Sequence, residues 1–286
     1  MKVLLAHNFY RSESPSGEDA VYAAERALLE SAGHEVVPFE RRNDEIGRTP
    51  GGRAGAAVGT LWSGATYREL SRLLRASRPD VAHVHNTFPL IGPAAYAACR
   101  DAGVPVVQTL HNYRLVCPGA LLLRAGRPCE SCVGRTPLAG VVHGCYRGSR
   151  AASAVVAGML VLHRVRGTWR DDVDRYVALT EFARARFLRG GLPADRVEVR
   201  PNCLPATPPR GDGSGGYALF LGRLGAEKGV RTLVRAWARV RALPLLVAGD
   251  GPLRAECEAE VARSGARVRF LGAQRRDAVW ELLARA

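Results

Sequence analysis

The stretch DVAHVHNTFPLIGPAAYAACRDAGVPVVQTLH, residues 80–111, decides the fold class of this chain. Its opening, Asp80–Asn86, predicts a strand because valine and alanine recur between polar residues. A helix is predicted at Pro93–Asp101 and ends at Gly103, and Val104–Leu110 predicts a second strand. A strand, a helix and another strand in close succession indicate a β–α–β unit, in which the two strands run parallel.

The same alternation continues on both sides of this unit. Toward the amino terminus, the pattern predicts a strand, a helix at Glu18–Ala32 and a second strand, followed by Arg41–Gly64, an Arg- and Gly-rich stretch that we expect to be irregular. Toward the carboxyl terminus, two more strands complete a first block, and three strand–helix pairs form a second. The predicted strands outside the unit are 2–7, 34–39, 176–179, 196–199, 217–222, 243–248 and 267–271.

A Pro- and Gly-rich stretch, PNCLPATPPRGDGSGG at residues 201–216, separates the two blocks. We therefore predict an α/β protein with two Rossmann-like, doubly wound parallel-sheet domains facing a cleft. The amino-terminal domain would occupy residues 1–200, the linker 201–216 and the carboxyl-terminal domain 217–286. The second block has three strands where such a domain usually has five or six, so we expect this domain to be incomplete.

The composition is typical of a soluble globular protein, with 286 residues, 47% hydrophobic and 24% charged. The formal charge is +14, and the positive residues are nearly all arginines. This charge favours anionic partners, although a biased genomic composition explains it equally well. The chain opens without a recognisable signal peptide, and the uncharged run Ala151–Leu162 is too short to span a membrane. Seven cysteines without a secretory signal favour a reducing, cytoplasmic location.

Ligands of doubly wound sheets bind beyond the carboxyl ends of the strands. We expect His83 to point away from His85, on the opposite face of their strand, and to lie beneath a helix. The two histidines would then not share a metal ion. Six residues at predicted strand ends are candidates for lining the cleft: His7, His85, His111, Thr180, Gly222 and Gly249.

The loop at residues 222–229 is a candidate anion site. It carries Arg223 and Lys228 beside a predicted helix start, where backbone N–H groups attract anions. The loop does not match the Walker pattern or the dinucleotide fingerprint. From the residues alone, a phosphate site and an ordinary polar loop are equally compatible with it.

Two other helix starts offer backbone amides in the same way. The turn that contains Gly249 and Gly251 permits close approach of a ligand to the backbone. The pair Ser16-Gly17 opens the first predicted helix. A simple helix cap explains Ser16-Gly17 at least as well as an anion site does.

Four cysteines fall in a loop at residues 113–148 with the spacing Cys-x11-Cys-x2-Cys-x12-Cys. Four thiolates would form a closed tetrahedral zinc site, which would be structural and not catalytic. Reduced, partly buried thiols are the alternative. A redox dithiol is disfavoured because the Cys-x-x-Cys pair does not open a helix. The four residues are Cys117, Cys129, Cys132 and Cys145.

Three other functional classes find little support in the sequence. A nucleobase deaminase would need His-x-Glu upstream of Pro-Cys-x-x-Cys, and the chain has none. A dinucleotide oxidoreductase would carry a glycine fingerprint after the first strand, where this chain has Ala6–Phe9. The basic residues are scattered and match no nucleic-acid-binding motif, so we expect no nucleic-acid partner.

Seven segments, taken in order, resemble glycosyltransferase family 4, whose members are retaining, nucleotide-sugar-dependent enzymes of the GT-B fold. The likeness covers essentially the whole chain and is greatest to bacterial enzymes of polysaccharide and cell-envelope assembly. The segments are LLAHNFY…SGEDAVYAAERALLESAGHEV, PDVAHVHNTFPL, GVPVVQTLHNYRLVCPG, ALTEFARARF, RPNCL, FLGRLGAEKGV and VAGDGPLR.

The resemblance implies that the first domain binds the acceptor and the second mainly binds the nucleotide-sugar donor. Arg223 and Lys228 would hold the donor diphosphate and stabilise charge on the departing nucleotide. His111 would lie beside the donor sugar, and Ser16-Gly17 would place amides near the phosphates. No catalytic metal or other cofactor is implied. Gly222, Gly249 and Gly251 are further donor-side candidates, and the acceptor-side candidates are His85, Asn86 and Asn112.

The chain departs from the family pattern in two ways. Ser16-Gly17 stands where the family usually has a Gly-Gly pair, so a close phosphate contact at Ser16 stays open. The family's Glu-x7-Glu motif, whose acidic residues hold the donor sugar and ribose, is absent before Ala286. We therefore expect a chain shortened by about 100 residues, with weak donor binding and little turnover. The alternative to an active enzyme is a nucleotide-sugar-binding remnant.

The expected acceptor is a saccharide or a lipid-linked sugar of envelope polysaccharide synthesis. The basic charge and the arginine-flanked run Ala151–Leu162 are compatible with peripheral contact at the inner membrane surface. A buried core helix explains this run at least as well.

Overall fold

A computed structural model describes residues 1–12, 16–47, 50–202, 204 and 210–286 of the chain. The side chains at positions 50, 51, 53, 54 and 276 lie outside this description. The chain divides into two compact units, Met1–Pro205 and Ala206–Ala286. Part of the predicted linker, residues 203 and 205–209, falls outside the described residues.

The first unit alternates strands and helices along most of its length. Its strands are β1 Lys2–Phe9, β2 Glu35–Arg42, β3 Val81–Val84, β4 Val106–Leu110, β5 Leu123–Arg124, β6 Arg127–Pro128, β7 Arg175–Ala178 and β8 Val197–Val199. Its helices are α1 Gly17–Ser31, α2 Pro50–Leu61, α3 Gly64–Ser77, α4 Ala94–Asp101, α5 Leu138–Val142, α6 Arg150–Val165, α7 Thr168–Asp171 and α8 Glu181–Arg189.

Six of these strands form one parallel sheet in the order β2-β1-β3-β4-β7-β8. Strands β5 and β6 form a separate antiparallel hairpin in the cysteine-containing loop. The inner six residues of β1 are all buried, as expected for a central strand of a parallel sheet that is covered on both faces. The predicted β–α–β unit at residues 80–111 is confirmed as β3, α4 and β4.

The core of the first unit packs around α4 and the middle of the sheet. Residues Ala94–Cys99 of α4 are all buried, and apart from Tyr96 their side chains are small and allow close packing. The rings of Tyr96 and Trp169 meet edge to face, with centroids 5.8 Å apart. The hydroxyl of Tyr176 donates a hydrogen bond of 2.7 Å to the carbonyl of Trp169, so this buried polar group is satisfied.

The prediction that residues 41–64 are irregular was wrong for the part that forms α2, Pro50–Leu61. Glycine lowers the intrinsic helix propensity of this segment, but packing against α6 outweighs that preference. Nε2 of His163 lies 2.9 Å from the carbonyl oxygen of Leu61. A Cβ atom added at Gly158 would lie 3.6 Å from the Leu61 side chain, an ordinary van der Waals contact, so the two helices are in direct contact there.

The apolar run at residues 151–162 lies within α6. One face of this helix is buried, and it includes Val156, Met159 and Leu160. Near its end, Val161, Leu162 and Val165 are exposed. No helix in the described part of the chain is long and apolar enough to cross a membrane.

The second unit is a smaller parallel α/β layer structure. Its described strands form a sheet in the order β11-β10-β9, and its core contains Leu224, Val230, Val234, Leu245 and Val247. Its elements are β9 Ala218–Leu221, α9 Val230–Trp237, β10 Leu245–Ala248, α10 Arg254–Ser264, β11 Val268–Gly272 and α11 Arg276–Arg285.

Candidate functional site

The carboxyl ends of β1, β3 and β4 lie side by side in the first sheet. Strand β1 has β2 on one side and β3 on the other, so the order of strand addition reverses there. Such a reversal is where doubly wound sheets bind ligands. The strand ends bring three predicted residues together: the ring centroids lie 6.1 Å apart for His7 and His85 and 5.1 Å apart for His85 and His111.

His7 is fully buried and has a partner at each ring nitrogen. The backbone N–H of Asn86 points at Nδ1 from 3.4 Å, and Nε2 lies 2.8 Å from Oδ1 of Asp19. Nδ1 therefore accepts a hydrogen bond and Nε2 donates one. Burial raises the pKa of Asp19, but hydrogen bonds from His7 and from the amides of Ser16 and Tyr10 outweigh it and lower that pKa overall. The carboxylate thus ties the start of α1 to β1.

Ser16 is the N-cap of α1. Its Oγ accepts a hydrogen bond from the amide of Glu18 at 3.3 Å, and its own amide donates to Asp19 at 2.8 Å. This reciprocal arrangement is a capping box, which confirms the cap interpretation of this stretch. A Cβ atom added at Gly17 would meet nothing within 4 Å, so the space before the helix start is open. A phosphate contact there stays a prediction.

The prediction that His83 and His85 point to opposite faces was wrong, because residues two apart in a strand share a face. Both imidazoles reach Glu25 of α1. Nδ1 of His83 lies 2.5 Å from Oε1, and Nε2 of His85 lies 3.5 Å from Oε2. His83 does lie beneath a helix, as predicted. Among described residues, this trio alone brings three His, Cys, Asp or Glu ligand atoms within 4.8 Å of one another.

His111 is half-buried at the end of β4, and its Nε2 lies 2.9 Å from Nδ1 of His85. Burial, together with the neighbouring His85 and His7, lowers the pKa of His111 to about 3. Burial also lowers the pKa of His85. Both imidazoles are therefore neutral at physiological pH.

Asn86 uses its side chain to hold the loop after β3. Its Nδ2 donates to the carbonyls of Asn8 at 2.8 Å and Phe88 at 3.3 Å, and its Oδ1 accepts from the amide of Phe88 at 3.0 Å. Every polar atom of this buried side chain thus has a partner within the first unit. The role that the local structure shows for the Asn86 side chain is to support the backbone of this loop.

Asn112 and Glu18 face a small cavity of about 30 Å³ that His111 also lines. Nδ2 of Asn112 donates to Oε1 of Glu18 at 2.8 Å. Burial raises the pKa of Glu18, and its buried Oε2 has no hydrogen-bond partner among the described residues. This carboxyl group was not singled out from the sequence, and it offers an unpaired oxygen next to His111.

A second cavity of about 380 Å³ lies between α2, α6 and the loop after β3. Phe88 borders both this cavity and the smaller one beside His111. Arg11 and Arg147 contribute positive charge, while most other lining groups are apolar. The predicted acceptor-side residues His85, Asn86 and Asn112 line the smaller cavity and not this one. Sequence reasoning missed the larger cavity because α2 was expected to be irregular.

In the second unit, the loop after β9 presents two cations to solvent. The side chain of Arg223 is 57% exposed, and its nearest carboxylate oxygen, Oε1 of Glu227, lies 3.8 Å away. Lys228 is exposed at the end of a 3-10 turn, directly before Gly229 and the start of α9. In the part of the chain described, Lys228 forms no ion pair. Both cations are therefore available to an anion.

Gly249 and Gly251 have a packing role that explains their lack of a side chain. A Cβ atom at Gly249, where φ is +141°, would lie 1.9 Å from the carbonyl oxygen of Gly222. One at Gly251 would lie 2.7 Å from the amide nitrogen of Leu224. The loops after β9 and β10 thus touch through their backbones.

The four cysteines of the loop at 113–148 all line one cavity of about 20 Å³. Cys129 follows the β5–β6 hairpin, and its amide donates to the carbonyl of Leu122 at 2.7 Å. No three of the four sulfurs lie within 4.8 Å of one another. The fold therefore gathers the thiols around one space without closing them into a tetrahedron.

The chain matches two family models, both of sugar-transferring enzymes. Residues 20–207 match the model described as Glycosyltransferase Family 4, and residues 215–286 match Glycosyl transferases group 1. Among curated proteins, 2-deoxystreptamine glucosyltransferase of Streptomyces kanamyceticus is 30% identical over 86% of this chain and 64% of its own length. Alpha-D-kanosaminyltransferase of the same organism is 28% identical over 74% and 53%, respectively. The chain thus spans less than two thirds of either relative.

Solved structures show the same fold. HepE from Anabaena, crystallised with UDP and glucose, superposes with a TM-score of 0.58 at 16% identity, covering 100% of this chain and 72% of HepE. The lipopolysaccharide outer core galactosyltransferase WaaB in its apo form gives 0.54 at 15% identity, covering 99% and 70%. The predicted α/β fold class of GT-B type is therefore confirmed.

Proposed function

The chain belongs to glycosyltransferase family 4, and from that membership we propose that it transfers a sugar from a nucleotide-diphosphate sugar to an acceptor, with retention of anomeric configuration. One observation carries this proposal beyond the family. Arg223 and Lys228 stand exposed on one strand-to-helix loop, where Glu227, 3.8 Å from Arg223, is the one carboxylate paired with either of them among the described residues. Two such cations suit a diphosphate, which carries two or more negative charges.

The proposed chemistry assigns these cations to the leaving group. Negative charge grows on the nucleotide as the glycosidic bond breaks, and preorganised cations stabilise this charge in the transition state. Gly222, Gly249 and Gly251 keep the surrounding backbone compact, so the two side chains project from a firm support. On the first unit, we assign His111 to the reacting sugar and the amides at Ser16-Gly17 to the phosphates.

We further assign the acceptor to the 380 Å³ cavity beside α2 and α6. Its volume lies in the range of small-molecule sites. Its mixed lining of apolar groups with Arg11 and Arg147 suits a saccharide that carries phosphate or a lipid link. An acceptor of envelope polysaccharide synthesis fits this description. The name of 2-deoxystreptamine glucosyltransferase instead indicates an aminocyclitol acceptor for that relative. A bulky Ala152→Trp change should raise the acceptor KM and leave the donor KM unchanged.

The test uses the purified 286-residue chain with UDP-glucose. UDP is the first choice because the Anabaena protein was crystallised with UDP and glucose. The first acceptors are 2-deoxystreptamine and lipid-linked saccharides, and nucleotide release and product mass are measured. Calorimetric titration with UDP runs in parallel. Transfer that disappears in Arg223→Ala supports the proposal. UDP binding without transfer would instead indicate the nucleotide-sugar-binding remnant, and neither binding nor transfer would overturn both.

We also propose peripheral membrane contact from the cytoplasmic side, where nucleotide sugars are made. The exposed Val161, Leu162 and Val165 of α6 lie next to Arg164 and Arg166, a combination that suits an anionic lipid surface. Sedimentation with vesicles containing anionic lipid should capture the protein, and Val165→Glu should reduce capture. Equal sedimentation with neutral vesicles, or none at all, would contradict the proposal.

The cysteine loop carries a separate structural proposal, a zinc ion held by Cys117, Cys129, Cys132 and Cys145. All four thiols line a cavity of about 20 Å³, and four thiolates are a ligand set that zinc binds tetrahedrally. The regular elements of the loop, β5, β6 and α5, are short, so a metal would add a cross-link between its segments. The ion would be closed off from substrate and would take no part in sugar transfer.

Metal analysis of protein purified without a metal-affinity tag tests this role. We expect one zinc per chain, its loss in Cys132→Ser, and full retention in Cys257→Ala, which alters a buried cysteine of the second unit. Thiol titration under reducing conditions distinguishes zinc-bound thiolates from free thiols. Four freely titrating loop thiols and no stoichiometric zinc would overturn the proposal, as would two disulfides.

A further inference from the structure

We propose that Glu25 and His85 are positioning residues that hold His111 in a single neutral tautomer, with its hydrogen on Nε2 and the lone pair of Nδ1 directed to a substrate hydroxyl. The identity of that substrate rests on the proposed function. The tautomer itself is a property of this chain alone and can be measured without any substrate.

The first step is the carboxylate of Glu25. Burial raises its pKa, but hydrogen bonds from His83 and His85 outweigh burial and bring that pKa well below its ordinary value. The group is therefore ionised and can only accept hydrogen bonds. Its Oε2 faces Nε2 of His85 at 3.5 Å, which is long for a hydrogen bond. This buried nitrogen forms no hydrogen bond among the described residues, and we assign its hydrogen to the side of the carboxylate because an anion attracts an N–H and repels a lone pair.

The second step is the tautomer of His85. Its side chain is fully buried, and burial keeps the imidazole neutral by lowering its pKa. A neutral imidazole has one N–H, and Glu25 places this hydrogen on Nε2. The Nδ1 of His85 is then a bare acceptor.

The third step is the tautomer of His111, which the tautomer of His85 determines. Its Nε2 lies 2.9 Å from Nδ1 of His85, so one hydrogen must lie between the two nitrogens. Since His85 is bare at that position, the hydrogen belongs to Nε2 of His111. His111 is neutral too, so its Nδ1 carries a lone pair. Among the described residues, no protein group hydrogen-bonds to this nitrogen.

Neighbouring groups do not redirect this chain of hydrogen bonds. Nδ1 of His83 contacts Oε1 of Glu25, and Nε2 of His83 lies 2.8 Å from the hydroxyl of Thr109. His7 is held by Asp19 and by the amide of Asn86. Glu18 and Gln108 also line the small cavity, each with a buried oxygen that has no hydrogen-bond partner in the described part of the chain, so neither is hydrogen-bonded to His85 or His111 through that oxygen.

The chemical consequence is a restricted role for His111. An imidazole without a hydrogen on Nδ1 accepts a hydrogen bond from a sugar hydroxyl but cannot donate one there. It is also not a cation near neutral pH, so it does not offset charge on a leaving phosphate. We therefore assign His111 to orienting a hydroxyl group, while Arg223 and Lys228 bear the charge stabilisation.

Long-range ¹H–¹⁵N correlation spectra of histidine-labelled protein read the tautomer directly, and the chain has only seven histidines. We expect the wild type near neutral pH to show His111 with hydrogen on Nε2 and bare Nδ1. Assignment comes from the spectrum of His111→Gln. A wild-type His111 that is protonated on Nδ1, or on both nitrogens, would overturn the proposal.

Glu25→Gln is the informative variant because its amide can donate as well as accept, which frees His85 to reverse its tautomer. We expect mixed tautomers at His85 and His111 and about a tenfold or greater fall in kcat, with the donor KM little changed. Glu30→Gln is the matched control on the exposed face of the same helix, where Glu30 pairs with Arg26. Its spectrum and kcat should equal those of the wild type.

The two readouts separate this inference from the proposed function. The predicted tautomer in a protein that transfers no sugar would leave the inference standing and count against the function. Sugar transfer by the wild type, together with an unchanged His111 tautomer in Glu25→Gln, would support the function and overturn the inference. Because Glu25, His83 and His85 lie close enough to share a metal ion, zinc is also titrated. Stoichiometric zinc that displaces the nitrogen-bound hydrogens of His83 and His85 would overturn the hydrogen-bond assignment.

Discussion

The two units present polar groups to ligands in opposite ways. At the carboxyl edge of the first sheet, buried histidines and carboxylates are paired with one another, and few polar atoms remain free. In the second unit, Arg223 and Lys228 are exposed. Arg223 has a carboxylate oxygen 3.8 Å away, and Lys228 forms no ion pair with any described residue. Substitutions in the first region should therefore alter stability and protonation. Those at the cations should alter donor binding and turnover and leave stability unchanged.

The largest expected effect is at the exposed cations. Under the proposed function, Arg223→Ala and Lys228→Ala should each reduce kcat about 100- to 1000-fold, because each would remove a charge that we assign to the leaving nucleotide. The urea midpoint should not change, since neither side chain is buried. Arg235→Ala, at an exposed position on α9, is the control and should retain full turnover. A large loss of stability in either test variant would erase the contrast between the two regions.

Next comes the glycine contact that supports those cations. Gly249→Ala should lower the free energy of unfolding of the second unit by about 3 kcal/mol, because the new Cβ would clash with a backbone oxygen at an unfavourable φ. Gly265→Ala is the matched control, with φ of +64° but nothing within 4 Å, and should cost about 1 kcal/mol. Urea unfolding measures both, and equal costs would refute the clash.

Another effect concerns pH and sharpens the contrast. The pKa of His111 is about 3 in the folded chain, and the unfolded value is about 6.5. The unfolded chain therefore binds more protons in this window, so stability is present above pH 6.5 and is lost as pH falls toward 3. The slope from this group is about 1.4 kcal/mol per pH unit. His111→Gln should flatten the curve, and His143→Gln, at an exposed site, should not.

The smallest effect is at the start of α1. Ser16→Ala removes one half of the capping box and should cost about 1 kcal/mol of stability. The donor KM should hardly change if the amides, and not the hydroxyl, contact phosphate. Ser63→Ala, at the N-cap of α3, is the control for loss of a cap remote from the site. A rise in donor KM only in Ser16→Ala would show that the hydroxyl itself binds donor.

Much of the fold could be predicted because local patterns carry it. The β–α–β unit at residues 80–111 follows from apolar periodicity and from Gly103, and the structure has the same elements. Helix α2 could not be predicted in this way, since its four glycines disfavour a helix. Its stability comes from contact with α6, and a segment's own sequence does not reveal such a contact.

The candidate site could be predicted only in outline. Strand ends indicate His7, His85 and His111, but not which group each contacts. Glu25 was missed because it reaches His83 across 58 positions of sequence, from a helix to a strand. Correct use of strand parity would have placed His83 and His85 on one face and prompted a search for a shared acidic partner.

The side-chain hydrogen bonds of Asn8 and Asn86 join the end of β1 to the loop after β3, and they have a consequence for how the chain folds. Nδ2 of Asn86 bonds the carbonyl of Asn8 across 78 positions, and Oδ1 of Asn8 accepts from the amide of Leu90 across 82. Contacts this distant form only after a long loop has closed, which is slow. The histidine cluster should therefore assemble late, after β1 and β3 have docked. A chain caught midway in refolding would have secondary structure but no ordered His7–His85–His111 site.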